Sequence, residues 1–153
     1  MAATLTLSLL QLHVAWIATW IPLWDRWLSL DKMLRKYTPK HPSALYRGVA
    51  SEIIVELVLR RLQQPRMMRR RACYRRGLLL FYFLRLAKFA PILHFGICPP
   101  GTEAGRLHAH CWVSLCGVVL AEPTPCIPEL FHYDGVASRV SVQRTDSGIQ
   151  RRI

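Results

Sequence analysis

From Ala2 to Trp24 the chain carries no charged side chain. A helix of that length has no strongly polar face to show to water, so it must bury itself in protein or in lipid. Trp16, Trp20, Trp24 and Trp27 recur towards its end as interfacial anchors do, and Arg26, Lys32, Arg35, Lys36 and Lys40 follow. Against a true membrane span stand Thr4, Thr6, Ser8, Gln11, His13 and Thr19, which interrupt the apolarity, and Pro22, which bends a helix late. An initial positive region, the mark of a secretory signal, is missing. The favoured reading is one or two hydrophobic helices that pack on the domain or make membrane-surface contact through residues 1–30; were the segment to span, its cationic flank would stay cytosolic.

A length of 153 residues is one domain's worth, and 52% hydrophobic content excludes a disordered protein. Lys+Arg 21 against Asp+Glu 9 gives a net charge of +12. The excess is local: ten of the 21 cations lie in residues 60–88, and no acid falls between Glu56 and Glu103. A cationic cluster is commonly a solvated face or a nucleic-acid patch, but no recognition helix and no aromatic stacking motif accompanies this one, so no nucleic-acid partner is expected. The five cysteines, Cys73, Cys98, Cys111, Cys116 and Cys126, include no C-x-x-C and do not form a secreted disulfide framework, which favours a reducing, cytoplasmic compartment.

The remaining punctuation predicts an α+β fold. After Pro39 and Pro42, Ser43 is the expected N-cap of a helix to about Gln64, with Val49, Ile53 and Leu57 on its buried side. Pro65 closes it, and a cationic connector (Arg66, Arg69, Arg70, Arg71) leads to a second helix over Ala72 to Lys88. The run Leu78 to Leu84 is apolar on nearly every side, so this helix is central. Strand patterns follow at Ile92–Cys98, Arg106–Leu115 and Val118–Glu122, with Cys116-Gly117 as a hairpin turn. The expected division is a hydrophobic helical segment over 1–42, a domain over 43–134 with the central helix on a small antiparallel sheet, and a polar tail over 135–153.

Cys73 stands at the start of the central helix, where unpaired backbone N–H groups and neighbouring arginines favour a thiolate. Alternation along 106–115 puts His108, His110, Trp112 and Ser114 on one face and Ala109, Cys111 and Val113 on the other. Pairing about Cys116 makes residue numbers across the hairpin sum to about 232, which sets His110 opposite or next to Glu122. A thiol on a helix start, an imidazole on a strand and an acid on the adjoining strand are the parts of a cysteine peptidase. The plainer readings are a buried helix-start thiol for Cys73, core packing for Trp112 and a surface strand position for His108. Cys98, Cys111, Cys116 and Cys126 read as core thiols, and His13, His41, His94 and His132 carry no assigned chemistry. A zinc site from His108, His110, Cys98 and Cys116 lacks ligand pairs at finger spacing, so no metal is expected.

The ordered set Cys73-Tyr74-Arg75-Arg76-Gly77-Leu78-Leu79-Leu80, Pro91-Ile92-Leu93-His94-Phe95-Gly96-Ile97, Ala109-His110-Cys111-Trp112-Val113, then Gly117 and Leu120-Ala121-Glu122 resembles the lasso peptide leader peptidases over residues 45 to 134. These are the transglutaminase-like, stand-alone protease half of a split maturation enzyme. The resemblance implies a transglutaminase-like, papain-like cysteine protease core, with Cys73 as nucleophile, His110 as general base and acid, and Glu122 as orienting carboxylate. Two departures stand out: the third member is usually Asp in that family, and Cys111 occupies a position where it commonly has Ala. The implied partners are a lasso precursor peptide, a small leader-recognition protein and an ATP-dependent macrolactam cyclase, with no cofactor. In fused versions the recognition module precedes the protease; the helical first 70 residues here are unlike that strand-rich module, so a separate partner is implied. Arg69, Arg70 and Arg71, together with Trp112, are the candidate contacts to substrate or partner. The rivals are acyl transfer to an amine by the same residues and a non-catalytic, membrane-associated adaptor.

Overall fold

A computed structural model describes residues 2–63, 72–98, 108–121 and 129–136. Among them are four helices, α1 (Ala2–Asp25), α2 (Leu30–Lys36), α3 (Ser51–Leu62) and α4 (Ala72–Leu86), and four strands, β1 (Ile92–Cys98), β2 (His108–Leu115), β3 (Val118–Leu120) and β4 (Glu129–Tyr133). The strands form one antiparallel sheet in the order β3-β2-β1-β4. The α+β expectation holds.

Helix α4 is the centre because its Leu78–Leu84 run leaves no polar face to turn outward. Leu78, Leu79, Leu80, Phe81, Phe83 and Leu84 are all at most 1% exposed, and the helix packs against α1, α3, β1 and β2. It stops in a Schellman arrangement: Lys88 takes φ 76, Phe89 N–H donates to the Leu84 carbonyl at 2.9 Å and Lys88 N–H to that of Arg85 at 3.0 Å. The chain is thereby released into β1 three residues later.

The α1 segment contributes Leu10, Val14, Ala18 and Ile21 to the same core as α4 and the sheet, one stripe of a helix whose opposite side stays open. His13 fixes it. Its Nδ1 shares a 2.9 Å hydrogen bond with the Tyr46 hydroxyl, and its ring meets Tyr82 and Phe83 edge-on. Burial holds the His13 imidazole below the ordinary histidine value of 6.5, so the folded chain keeps it neutral while the unfolded chain takes up a proton. Stability is therefore expected to decline as pH falls through 6.5. The decline shows as a lower urea midpoint at mildly acidic than at neutral pH, and His13→Gln should flatten that limb.

The helix expected to begin at Ser43 instead begins at Ser51. Residues 44–48 form turns that end at Gly48 with φ 92, a backbone no helix continues through. Ser43 N–H instead donates to the Leu86 carbonyl at 2.8 Å. The buried stripe is correspondingly Ile54, Val58 and Leu62, while Ile53 is 38% exposed. Both stripes have helical spacing, and the packing of α3 on α4 selects one of them. Strand β4 was not anticipated. Val118–Leu120 replaces the expected Val118–Glu122, and residues 122–128 and 137–153 lie outside the described residues.

Candidate active site

The two faces of the sheet have different chemistry. Pairings Phe95↔Cys111 with Phe95↔Phe131, and Leu93↔Val113 with Leu93↔Tyr133, give the inner rows. They meet α4 most closely at Gly77, where a Cβ would lie 2.6 Å from Cys111 Sγ and 3.0 Å from Leu93 Cδ1. The absent side chain is what lets the first turns of α4 lie against β2. On the outer face the pairings run His132–His94–Trp112 and Glu129–Gly96–His110.

Cys116 (φ 51) and Gly117 (φ 80) make the expected two-residue hairpin in the type I′ form. Register is Val113↔Leu120 and Ser114↔Val119, so paired numbers sum to one more than expected, and the β2 alternation is as read from the sequence. Cys116 sits exposed in that turn rather than in the core, whereas Cys111 is buried.

Cys73, in the first turn of α4, and His110, on β2, border one open cavity of 390 Å³. Tyr74, Phe95, Ala109 and Cys111 also line it, together with Asp25, Leu28 and Leu30 at and just after the end of α1. Cys73 is half-buried, and its Sγ approaches the Ala109 carbonyl at 4.0 Å, the outer limit for a sulfur donor. A thiol in the first turn of a helix and a histidine lining the same cavity are components for nucleophilic attack on a carbonyl, with Cys73 carried by the helix on the inner face of the sheet and His110 by the outer row of β2. The larger groove of 520 Å³ between α1 and α3 is lined by Ser8, Leu12, Arg60 and Arg61 among others, none of them a nucleophile or general base of this kind.

Glu122, Arg69, Arg70 and Arg71 lie outside the described residues, as do the side chains of His108 and Cys98. Trp112 is 6% exposed and stacks on His110 at 5.8 Å and 22°. Its ring therefore contacts neighbouring rings rather than open solvent. Among the described residues no group of three or more His, Cys, Asp or Glu is placed to hold a metal ion.

Two features escaped the sequence reading. Asp25 brings a carboxylate to the cavity from far upstream, with no motif to flag it. The other is a polar network on the outer face. His94 Nδ1 bonds Glu129 Oε2 at 2.7 Å, His94 Nε2 bonds Ser114 Oγ at 2.7 Å, and His132 Nδ1 bonds Glu129 Oε1 at 2.8 Å. Burial alone would raise the Glu129 carboxyl, but the hydrogen bonds and charge of His94 and His132 outweigh it and hold it below the ordinary carboxylate value. That contribution to stability is present above 4.5 and is lost as pH falls through the folded-state value. A second acid limb in the urea midpoint is therefore expected below 4.5, absent from Glu129→Gln. The signal available in the sequence was the period-2 spacing of Glu129 and Phe131, which is too short to distinguish from a loop.

Comparison with protein families matches residues 8–131 to the model described as the transglutaminase-like superfamily. No curated protein and no solved structure matches the chain.

Proposed function

The chain belongs to the transglutaminase-like superfamily, which includes cysteine proteases and acyltransferases, and on that premise we propose that it is a cysteine peptidase removing the leader from a lasso peptide precursor. The observation that carries the reading is that Cys73 and His110, from distant parts of the chain, line one cavity. The Cys73 thiolate attacks the carbonyl carbon at the leader–core junction. Helix-start N–H groups of α4 stabilise the oxyanion, the C–N bond breaks, and protonated His110 gives its proton to the departing amine of the core. Water, deprotonated by His110, then attacks the thioester, releasing the leader carboxylate and restoring the thiol. Glu122 orients the imidazole in this scheme. No cofactor is required.

Support for the lasso assignment comes from the ordered motif set quoted above rather than from any one residue. The partners are the precursor peptide, a small leader-recognition protein docking near Arg69, Arg70 and Arg71, and an ATP-dependent cyclase that receives the core. Incubation of the purified chain with precursor and recognition protein, read by mass spectrometry, tests the proposal: cleaved leader with a free carboxylate supports it. A product in which the acyl group has passed to an added amine favours the acyltransferase reading instead.

The same proposal places the protein on an anionic membrane surface in the cytoplasm. Leu5, Leu9, Leu12, Trp16 and Leu23 are each at least 47% exposed along α1, and Trp27 follows at 79%. Lys36 Nζ lies 4.1 Å over the Trp24 ring on one side of this stripe, and Arg60 and Arg61 border it beside Leu12 on the other. Apolar side chains flanked by snorkelling cations suit a helix lying in the headgroup plane. Crossing the bilayer would strip Leu10, Val14, Ala18 and Ile21, each at most 2% exposed, out of the core. Binding to anionic but not neutral vesicles is expected, with each of Leu9→Glu and Leu12→Glu weakening it about tenfold. Equal binding of wild-type and doubly substituted protein in a vesicle sedimentation assay would remove the membrane assignment.

A further inference from the structure

We propose that the outer-face ladder Glu129–His94–Trp112 is a positioning device that fixes the plane of the His110 ring. The inference rests on the peptidase reading of His110 and concerns residues that never touch the cavity. His94 is held at both ring nitrogens, by Glu129 at 2.7 Å and Ser114 at 2.7 Å, and Glu129 is itself held by His132 at 2.8 Å. A ring bonded at both nitrogens cannot turn about χ2 without breaking both bonds. Trp112 lies parallel to it, with centroids 5.4 Å apart and planes 5° from each other. His110 then stacks on Trp112 at 5.8 Å and 22°.

The order of this chain of contacts matters. His110 and Trp112 are i, i+2 on one strand face, so their stack is local, and by itself it leaves the indole free to tilt with the imidazole. The cross-strand pairing His94↔Trp112 links the indole to a ring that a carboxylate and a hydroxyl have already locked. Ser114, 6% exposed, completes the clamp on the buried side. A hydrolytic Ser114–His94–Glu129 triad is the other use of these atoms, but such a nucleophile must meet substrate, and Ser114 is buried in the middle of the sheet. A preoriented imidazole is what proton transfer to a leaving amine demands, because about 1 Å of misplacement can cost on the order of a hundredfold in rate.

The test compares wild-type, Glu129→Gln, His94→Gln, Trp112→Phe and Trp112→Leu full-length proteins, with His110→Ala as reference. Two readouts are used: the rate of iodoacetamide alkylation of Cys73 at neutral pH, followed on the Cys73 peptide, and the His110 ring resonances in histidine-labelled protein, assigned by their loss in His110→Ala. Glu129→Gln and His94→Gln are expected to move the His110 resonances and to slow alkylation about tenfold, with Trp112→Leu slower still and Trp112→Phe largely rescuing it. With a cleavable precursor the loss should fall on kcat and leave KM within about twofold. Unchanged His110 resonances in folded Glu129→Gln and His94→Gln overturn the proposal. If Trp112→Leu does not fold, the Trp112→Phe and Glu129→Gln comparison decides it. If His110→Ala alkylates as fast as wild type, the peptidase reading fails, and the resonance comparison still judges the ladder separately.

Discussion

Replacing Cys73 by alanine is expected to lower leader cleavage by about a thousandfold or more, with the chain still folded and still bound to vesicles. Cys73 is half-buried at the margin of the cavity rather than within the core, so loss of its sulfur leaves no large internal void and the effect belongs to the chemical step. His110→Ala should cost a similar factor. The double substitution should cost little more than either alone, because a nucleophile without its base and a base without its nucleophile are equally idle. Serine at position 73 should rescue poorly, since a hydroxyl is far less ionised than a thiol under the same imidazole. Cleavage within tenfold of wild type in Cys73→Ala would refute the peptidase and favour the adaptor reading.

The parts of the molecule legible in the sequence are those with a strong local rule. A two-residue Cys116-Gly117 turn between alternating runs fixes β2 and β3 and their facing sides, and the Leu78–Leu84 run, apolar on nearly every side, marks α4 as the central helix. Two misreadings have one cause. Val49/Ile53/Leu57 and Ile54/Val58/Leu62 are equally good helical stripes, and only the tertiary packing of α3 on α4 distinguishes them. Likewise Glu129–Tyr133 has the length of a strand but acquires its identity from β1, which pairs Phe95 with Phe131 and His94 with His132. The candidate site divides the same way. Cys73 and His110 announce themselves by helix-start chemistry and strand alternation. His94 and Glu129, some thirty-five positions apart, carry no mutual signal until the β1–β4 register makes them neighbours. Asp25 reaches the cavity because α1 is packed into the core and ends beside α4, a placement to which Val14, Ala18 and Ile21 contribute along the helix and Trp24 and Leu28 beside Asp25.

Gly77→Ala is expected to destabilise the wild-type chain yet stabilise one carrying Cys111→Ala. In an open helix interior the exchange of glycine for alanine gains about 1 kcal/mol. At position 77 the new methyl would stand 2.6 Å from Cys111 Sγ and 3.0 Å from Leu93 Cδ1. The leucine methyl is the far end of a flexible side chain and can give way. The sulfur is two bonds from the Cα of a strand fixed on both sides, by β1 and β3, and at 3% exposure it can move only by turning about χ1 into its packed surroundings or by shifting β2. Overpacking of this kind costs about 1–3 kcal/mol, enough to cancel the helix gain and reverse its sign. Cys111→Ala removes the sulfur and leaves a Cβ at 3.9 Å, an ordinary contact, so the helix gain returns. A coupling of about 2 kcal/mol in a double-mutant cycle from urea unfolding is the expected result. Additive effects would mean that α4 and β2 do not approach each other as closely as this packing requires. The same approach sets the α4 start against β2, so in Gly77→Ala with Cys111 intact the alkylation rate of Cys73 should fall along with stability. In the double variant both should recover together, which ties the geometry of the candidate site to a single steric pair in the core beneath it.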